Sequence, residues 1–122
     1  MTRGSDIEYT LVLKEIELDQ IVEAYVTVEQ NRGSRTGDDI EVTKEGSVFY
    51  EQDGTPVEDP NNEISFDYEN NAIKFVLEQK ETLMFESGVA EVQLRLRTIY
   101  GNLITTTANT IRVNPVLYTK VL

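Results

Sequence analysis

Apolar and polar residues alternate one by one along most of this chain, the period of a half-buried β-strand, and no stretch keeps the 3.6-residue spacing of an amphipathic helix for long. The pattern is clearest over residues 63–97, centred on the join between Ile73 and Val92. Ile64-Ser65-Phe66-Asp67-Tyr68 predicts a strand, Glu69-Asn70-Asn71 a turn, and Ala72-Ile73-Lys74-Phe75-Val76-Leu77 a second strand. A connection from Glu78 to Phe85 then leads into a third strand, Ala90-Glu91-Val92-Gln93-Leu94-Arg95-Leu96-Arg97.

Upstream, Ile7-Glu8-Tyr9-Thr10-Leu11-Val12-Leu13 puts Ile7, Tyr9, Leu11 and Leu13 on one face and predicts a first strand. The spacing in 15–22 suits neither element cleanly and predicts a connection with one helical turn. Ala24-Tyr25-Val26-Thr27-Val28-Glu29-Gln30 is β-rich, and 31–37 collects turn residues. Lys44-Glu45-Gly46 between two short apolar runs predicts a hairpin loop. Residues 52–62 hold two of the three prolines and an Asp-Gly pair, and predict a long loop. Beyond a turn at Gly101-Asn102, 104–113 predicts one long threonine-rich strand ended by Asn114-Pro115; an apolar tail, 116–122, follows. Seven or eight short strands and no helix of consequence, with turns every 8–12 residues or so, predict one all-β domain spanning 1–122. Its expected architecture is an antiparallel, immunoglobulin-like β-sandwich, without the cysteine pair and tryptophan of antibody domains.

Composition narrows function chiefly by exclusion. The 122 residues include no cysteine and no histidine, which removes disulfides, thiol chemistry and the usual zinc and iron–sulfur ligands. A net charge of −11 opposes nucleic acid and anionic membranes. No run of apolar residues has the length of a membrane span, and Met1-Thr2-Arg3-Gly4-Ser5-Asp6 has no apolar signal core, so no membrane or export role is expected. All 22 acidic residues lie at or before Glu91, whereas Arg95, Arg97, Arg112 and Lys120 follow it with no acid. Two readings of that asymmetry stay open: basic strands paired beside acidic ones in one sheet, or a dipolar surface that stacks on copies of itself or on a partner.

Catalytic signatures are missing from the sequence. There is no histidine base, no Gly-x-Ser-x-Gly elbow, and no phosphate loop around Gly33 and Gly37. Paired carboxylates such as Asp53, Glu58 and Asp59, or Asp38, Asp39 and Glu41, arise readily among 22 acids. Asp53, Glu58, Asp59 and Glu63 are weak calcium candidates whose spacing does not match an EF-hand loop, and a solvated acidic loop is the simpler reading. Neither catalytic residues nor a cofactor are expected. Tyr25, Tyr50, Tyr68 and Tyr100 are available to line a sugar-binding face, although the parity of Tyr68 with Ile64 and Phe66 makes it a core residue. Tyr25, Tyr50, Arg95, Arg97 and Arg112 are the candidate contact residues.

The segment Gln79-Lys80-Glu81-Thr82-Leu83-Met84-Phe85, followed by Val92-Gln93-Leu94-Arg95-Leu96-Arg97, resembles a pattern of small structural proteins of phages and prophages of Gram-positive hosts. There a Gln-x-Glu-Thr-Leu/Phe-x-Phe connection precedes Val-x-Val-Gln-x-Arg-x-Arg, a glycine turn and a threonine-rich strand, with a closing Val-Leu like Val116-Leu117. Ala24 to Gln30 is similar to the family's Tyr-Val-Thr-x-x-Gln strand, and the N-terminal domains of phage baseplate upper proteins have a similar pattern. Residues 38–62 look like an insertion. The resemblance implies a non-enzymatic virion-associated structural or assembly protein of tail or baseplate type. Its partners would be other phage structural proteins or copies of itself, in the virion or in the host cytoplasm during assembly. The alternatives are a module binding carbohydrate or a host-surface group, and a prophage regulatory or immunity protein.

Overall fold

The computed structural model describes residues 1–30, 39–86, 88–106 and 109–113. Two antiparallel sheets pack face to face. Strands β1 (Ile7–Val12), β6 (Ala72–Leu77) and β5 (Ile64–Asp67) form the smaller sheet in the order β1-β6-β5. The larger runs β4-β3-β2-β7-β8, from β4 (Pro56–Glu58), β3 (Ile40–Tyr50), β2 (Ile21–Gln30), β7 (Gly88–Thr98) and β8 (Leu103–Thr105). A ninth strand, β9 (Asn109–Val113), shares the outer edge of β7 with β8: β8 pairs with Arg95 to Arg97, and β9 with Gly88 to Val92. This order is that of a variable-type immunoglobulin sandwich without a described counterpart of its first strand. The expected sandwich class is therefore found.

Alternation builds the core. Val26, Val28, Val92, Leu94 and Leu96 point inward from β2 and β7 and meet Ile64, Phe66, Ile73, Phe75 and Leu77 of the smaller sheet. Tyr9 stacks on Phe75 with ring centroids 5.5 Å apart. The connection predicted over 15–22 contains a single 3-10 turn, Leu18–Gln20, that buries Leu18. Residues 31–37, Asn114-Pro115 and the tail 116–122 lie outside the described residues.

Four local expectations need correction, each for a physical reason. Lys44-Glu45-Gly46 is the middle of the continuous strand β3, not a turn. Its glycine is a packing residue: a Cβ there would come within 3.1 Å of Ile64 and 3.2 Å of Asn62, a tight approach that favours the absence of a side chain. The loop predicted over 52–62 contains β4, which begins at Pro56, where a strand tolerates a residue without an N–H. Asp53-Gly54 closes a hairpin there: Gly54 takes φ +88°, and Asp53 accepts the Thr55 N–H at 2.9 Å. The long threonine-rich strand is split into β8 and β9. At the split the Thr106 hydroxyl donates to the Leu94 carbonyl and accepts its N–H, competing with the ladder. Finally, the connection after β6 forms α1 (Gln79–Thr82), closed by a Glu78–Glu81 capping box.

Two polar devices lock the layers. Asn71 has φ 52°, a left-handed conformation that asparagine tolerates better than most residues. Its amide donates to the carbonyls of Leu13 (3.0 Å) and Ile16 (2.9 Å) and accepts the Leu18 N–H (2.7 Å), fixing the chain between β1 and β2. Lys44, buried on the inward face of β3, meets both carboxylate oxygens of Glu81 at 2.8 Å. Burial opposes ionisation of Glu81. The Lys44 and Glu78 hydrogen bonds and the Lys44 and Lys80 charges outweigh it and hold the carboxyl below its ordinary value.

Asn71→Ala should destabilise the fold by about 2–4 kcal/mol in urea unfolding, and Asn71→Gly by roughly 1 kcal/mol less, because glycine removes the left-handed strain but not the lost hydrogen bonds. Glu81→Gln should cost about 2–4 kcal/mol near neutrality by leaving Lys44 without its counter-charge. Since the folded-state value of Glu81 is depressed, its stabilisation is present above the unfolded-state value and fades as pH falls through the folded one. The gap between wild type and Glu81→Gln should close in that acid range, and a constant gap would refute the pairing. Tyr9→Phe should be neutral or stabilise by about 1 kcal/mol, because the Tyr9 hydroxyl is buried without a partner among the described residues and the stack on Phe75 survives.

Candidate interaction face

The outward side of the larger sheet is where three of the candidate residues meet. On β2 the outward positions are Glu23, Tyr25, Thr27 and Glu29; on β7 they are Val89, Glu91, Gln93, Arg95 and Arg97. Register sets Glu23 opposite Arg97, Tyr25 opposite Arg95, Thr27 opposite Gln93 and Glu29 opposite Glu91. On its other side β2 sets Tyr25 opposite Glu45, Thr27 opposite Thr43 and Glu29 opposite Glu41. The face thus has an aromatic end of mixed charge, where Arg95 and Arg97 stand with Glu23 and Glu45, a neutral middle and an acidic end.

At the first end Arg97 Nε lies 3.7 Å from Glu23 Oε2, and the Tyr25 hydroxyl donates to the same carboxylate. The Arg95 guanidinium sits 5.9 Å from the centroid of the Tyr25 ring, within cation–π range. The hydrogen bond to Glu23, then partial desolvation and the Glu23 charge, raise the Tyr25 phenol above its ordinary value, so it remains a neutral donor. At the other end Glu41, Glu29 and Glu91 stand side by side on three neighbouring strands, an arrangement in which like charges repel. Among the described residues no lysine or arginine forms an ion pair with any of the three.

The edge beside the Tyr25 end is apolar. The β7–β8 hairpin exposes Ile99, Tyr100, Leu103 and Ile104, with Tyr100 75 % and Leu103 52 % accessible. Its tip is held rather than loose: the Thr98 hydroxyl accepts the N–H groups of Tyr100 and Asn102, and Gly101 supplies φ +87°. Phe49, 62 % accessible, adds an apolar outward position on β3.

The remaining candidates are placed elsewhere. Tyr50 shares the inward parity of Val48, and its hydroxyl bonds to the carbonyls of Leu18 and Ile21 and to Tyr68, making it a tie between the sheets rather than a contact residue. Burial raises Tyr50, and burial reinforced by the bond to Tyr50 pushes Tyr68 far up. Arg112 is exposed on β9 opposite Val89, at the far end of β7 from Arg95 and Arg97. Asp53, Glu58 and Asp59 each accept a backbone N–H, from Thr55, Phe66 and Asn61, and among the described residues no three acidic side chains gather as metal ligands would. A shallow hollow of about 230 Å³ beside β3 is bordered by Glu23, Glu45 and Asp59. The register row Glu41-Glu29-Glu91 and the exposed Leu103 and Ile104 beside Tyr100 are not apparent from the sequence. Equal parity of Glu91, Arg95 and Arg97 was the available signal.

No protein-family model matches the chain, and no curated protein does. Among solved structures it is similar to the extracellular domain of the voltage-gated sodium channel beta4 subunit, a protein described as forming parallel homodimers with a role in cell-cell adhesion. The likeness covers 94 % of this chain and 86 % of that one at 17 % identity, with a TM-score of 0.42. A match of that level bears on neither activity nor partner, and the sandwich class rests on the strand order of the chain itself.

Proposed function

We propose that this chain is a non-enzymatic structural or assembly protein of a phage or prophage particle, of the tail or baseplate kind, working through protein–protein contacts. The observation that carries the reading is the large sheet's outward face joined to a rigid apolar hairpin. A contact surface needs an aromatic and arginine anchor with apolar neighbours, and Tyr25, Arg95, Tyr100 and Leu103 supply one. Reaction chemistry would instead need convergent groups poised to exchange protons. The carboxyls whose values shift clearly, Asp53, Asp67 and Glu81, all move downward and away from neutrality.

The segment that carries the phage resemblance supports the same reading, since its polar side chains serve the fold. Glu81 accepts the Glu78 N–H, while Thr82 donates to the Ser5 and Gln79 carbonyls and accepts the Gly4 N–H. A motif devoted to carrying the chain from one sheet to the other fits a scaffold protein.

Quantitative mass spectrometry of purified particles from the source host tests the proposal, through peptides from β7. Many copies per particle are expected. Their absence from intact particles, with the protein abundant in the lysate, would overturn it. The double variant Tyr100→Ser with Leu103→Ser should fold normally yet enter particles at least about tenfold less well, as loss of an apolar anchor predicts.

A further inference from the structure

We infer that the outward face of β7 is a self-recognition surface, on which a second copy of this chain docks face to face about a two-fold axis passing close to Gln93. The inference rests on the reading of the chain as a contact module and names its first partner.

Two charges on the outward side of β7 have no counter-charge among the described residues. Glu91, Gln93 and Arg95 are consecutive outward residues of one strand, in the sequence acid, neutral, base. Four residues of strand separate the two charges by roughly 13 Å, too far for them to pair with each other. Among the described residues Arg95 contacts only the ring of Tyr25, with no carboxylate in ion-pair range, whereas Arg97 is neutralised by Glu23. Glu91 pairs with no cation among the described residues either and is flanked by the like charge of Glu29.

A strand reading acid, neutral, base is complementary to its own reverse. Rotation by half a turn about an axis in the plane of the face, across the strands at Gln93, lays Glu91 of each copy on Arg95 of the other. The contact is made twice, as in any isologous interface. The flanking residues follow. Glu29 comes opposite the uncharged Tyr25 phenol of the second copy, whose proton is already given to Glu23, so that pair adds no charge repulsion, and Thr27 and Gln93 form an uncharged centre. On β3 the same operation sets Glu41 toward Glu45, which is unfavourable. Packed sheets are rotated by about 30°, which separates that pair, two strand spacings from Gln93, by roughly 5 Å and displaces the Glu91–Arg95 pair, two residues from Gln93, by only roughly 3 Å, within reach of their long side chains.

The size is adequate. Four strand widths by ten residues give a footprint of roughly 20 by 33 Å, on the order of 700 Å², near the roughly 800 Å² per partner of a standard specific contact. The charge of −11 on each copy opposes the approach at long range, but at physiological salt the Debye length is about 8 Å, so the monopoles are screened more than the contacting pairs.

Charge reversal tests the geometry. Glu91→Arg and Arg95→Glu each replace both attractive contacts of the pair by repulsive ones. Each variant should therefore self-associate at least about tenfold more weakly than wild type in analytical ultracentrifugation. An equimolar mixture of the two variants restores both attractive contacts and should form a heterodimer at near wild-type affinity, weakened by added salt. Both substitutions are at exposed positions, and unchanged unfolding midpoints would confirm intact folds. A wild type that stays monomeric at every concentration, variants that associate as well as wild type, or a mixture that fails to recover would each overturn the inference. The particle reading fails separately: self-association with no peptides in particles overturns that reading alone, and a monomer found in particles overturns only this one.

Discussion

A lysine turned into an apolar sandwich must meet a carboxylate or lose its charge, and this constraint fixes how the two sheets are joined. Lys44 points inward from β3, and α1, the crossing from β6 to β7, brings Glu81 against it. The same short helix holds the start of the chain. The Gln79 N–H donates to Asp6, the Thr82 hydroxyl donates to the Ser5 carbonyl, and the Gly4 N–H donates to Thr82. The charged pair thus ties the larger sheet to the crossing, and the hydrogen bonds of Gln79 and Thr82 tie the crossing to the lead-in to β1. At the opposite turn of the smaller sheet, between β5 and β6, Asn71 performs the matching task for the exit from β1.

With its inward side committed to the core, the larger sheet keeps its outward side for the contact role proposed above. β7 is central to that role, paired by β2 on one side and by β8 and β9 on the other, so its outward side chains stand on a strand held along both edges. Rigidity of this kind reduces the ordering cost of binding. The exposed edges are unequal. β4 is three residues long, starts with proline and ends in Glu58 beside Asp59, features that discourage strand addition, whereas β8 presents Leu103 and Ile104.

Much of the fold was legible because alternation is a local signal. β6 was read residue for residue from Ala72 to Leu77, and β5 and β7 to within two residues, since each buries one face. Misreadings arose where a residue's role is set by something distant in sequence. Lys44-Glu45-Gly46 has the composition of a turn, but Glu81 explains its lysine and Ile64 its glycine, and neither is visible in the local pattern. Tyr50 looked like a surface tyrosine because the carbonyls that hold it come from Leu18 and Ile21. Of the candidate site, Arg95 and Arg97 are legible as bases beyond the last acidic residue, and Tyr25 as one of the available tyrosines. The row Glu41-Glu29-Glu91 required the register of three strands, which sequence spacing alone does not supply.

Hydroxyl-radical footprinting, comparing dilute protein with protein in its assembled state, addresses the central claim that this sandwich works through the outward face and hairpin of its larger sheet. Tyr25, Phe49 and Tyr100 report on that side, while Met84, beside α1 and half exposed, reports on the crossing between the sheets. The account predicts that assembly protects Tyr25 and Tyr100 strongly and leaves Met84 as reactive as before. Protection centred on Met84, with Tyr25 and Tyr100 unchanged, would contradict it.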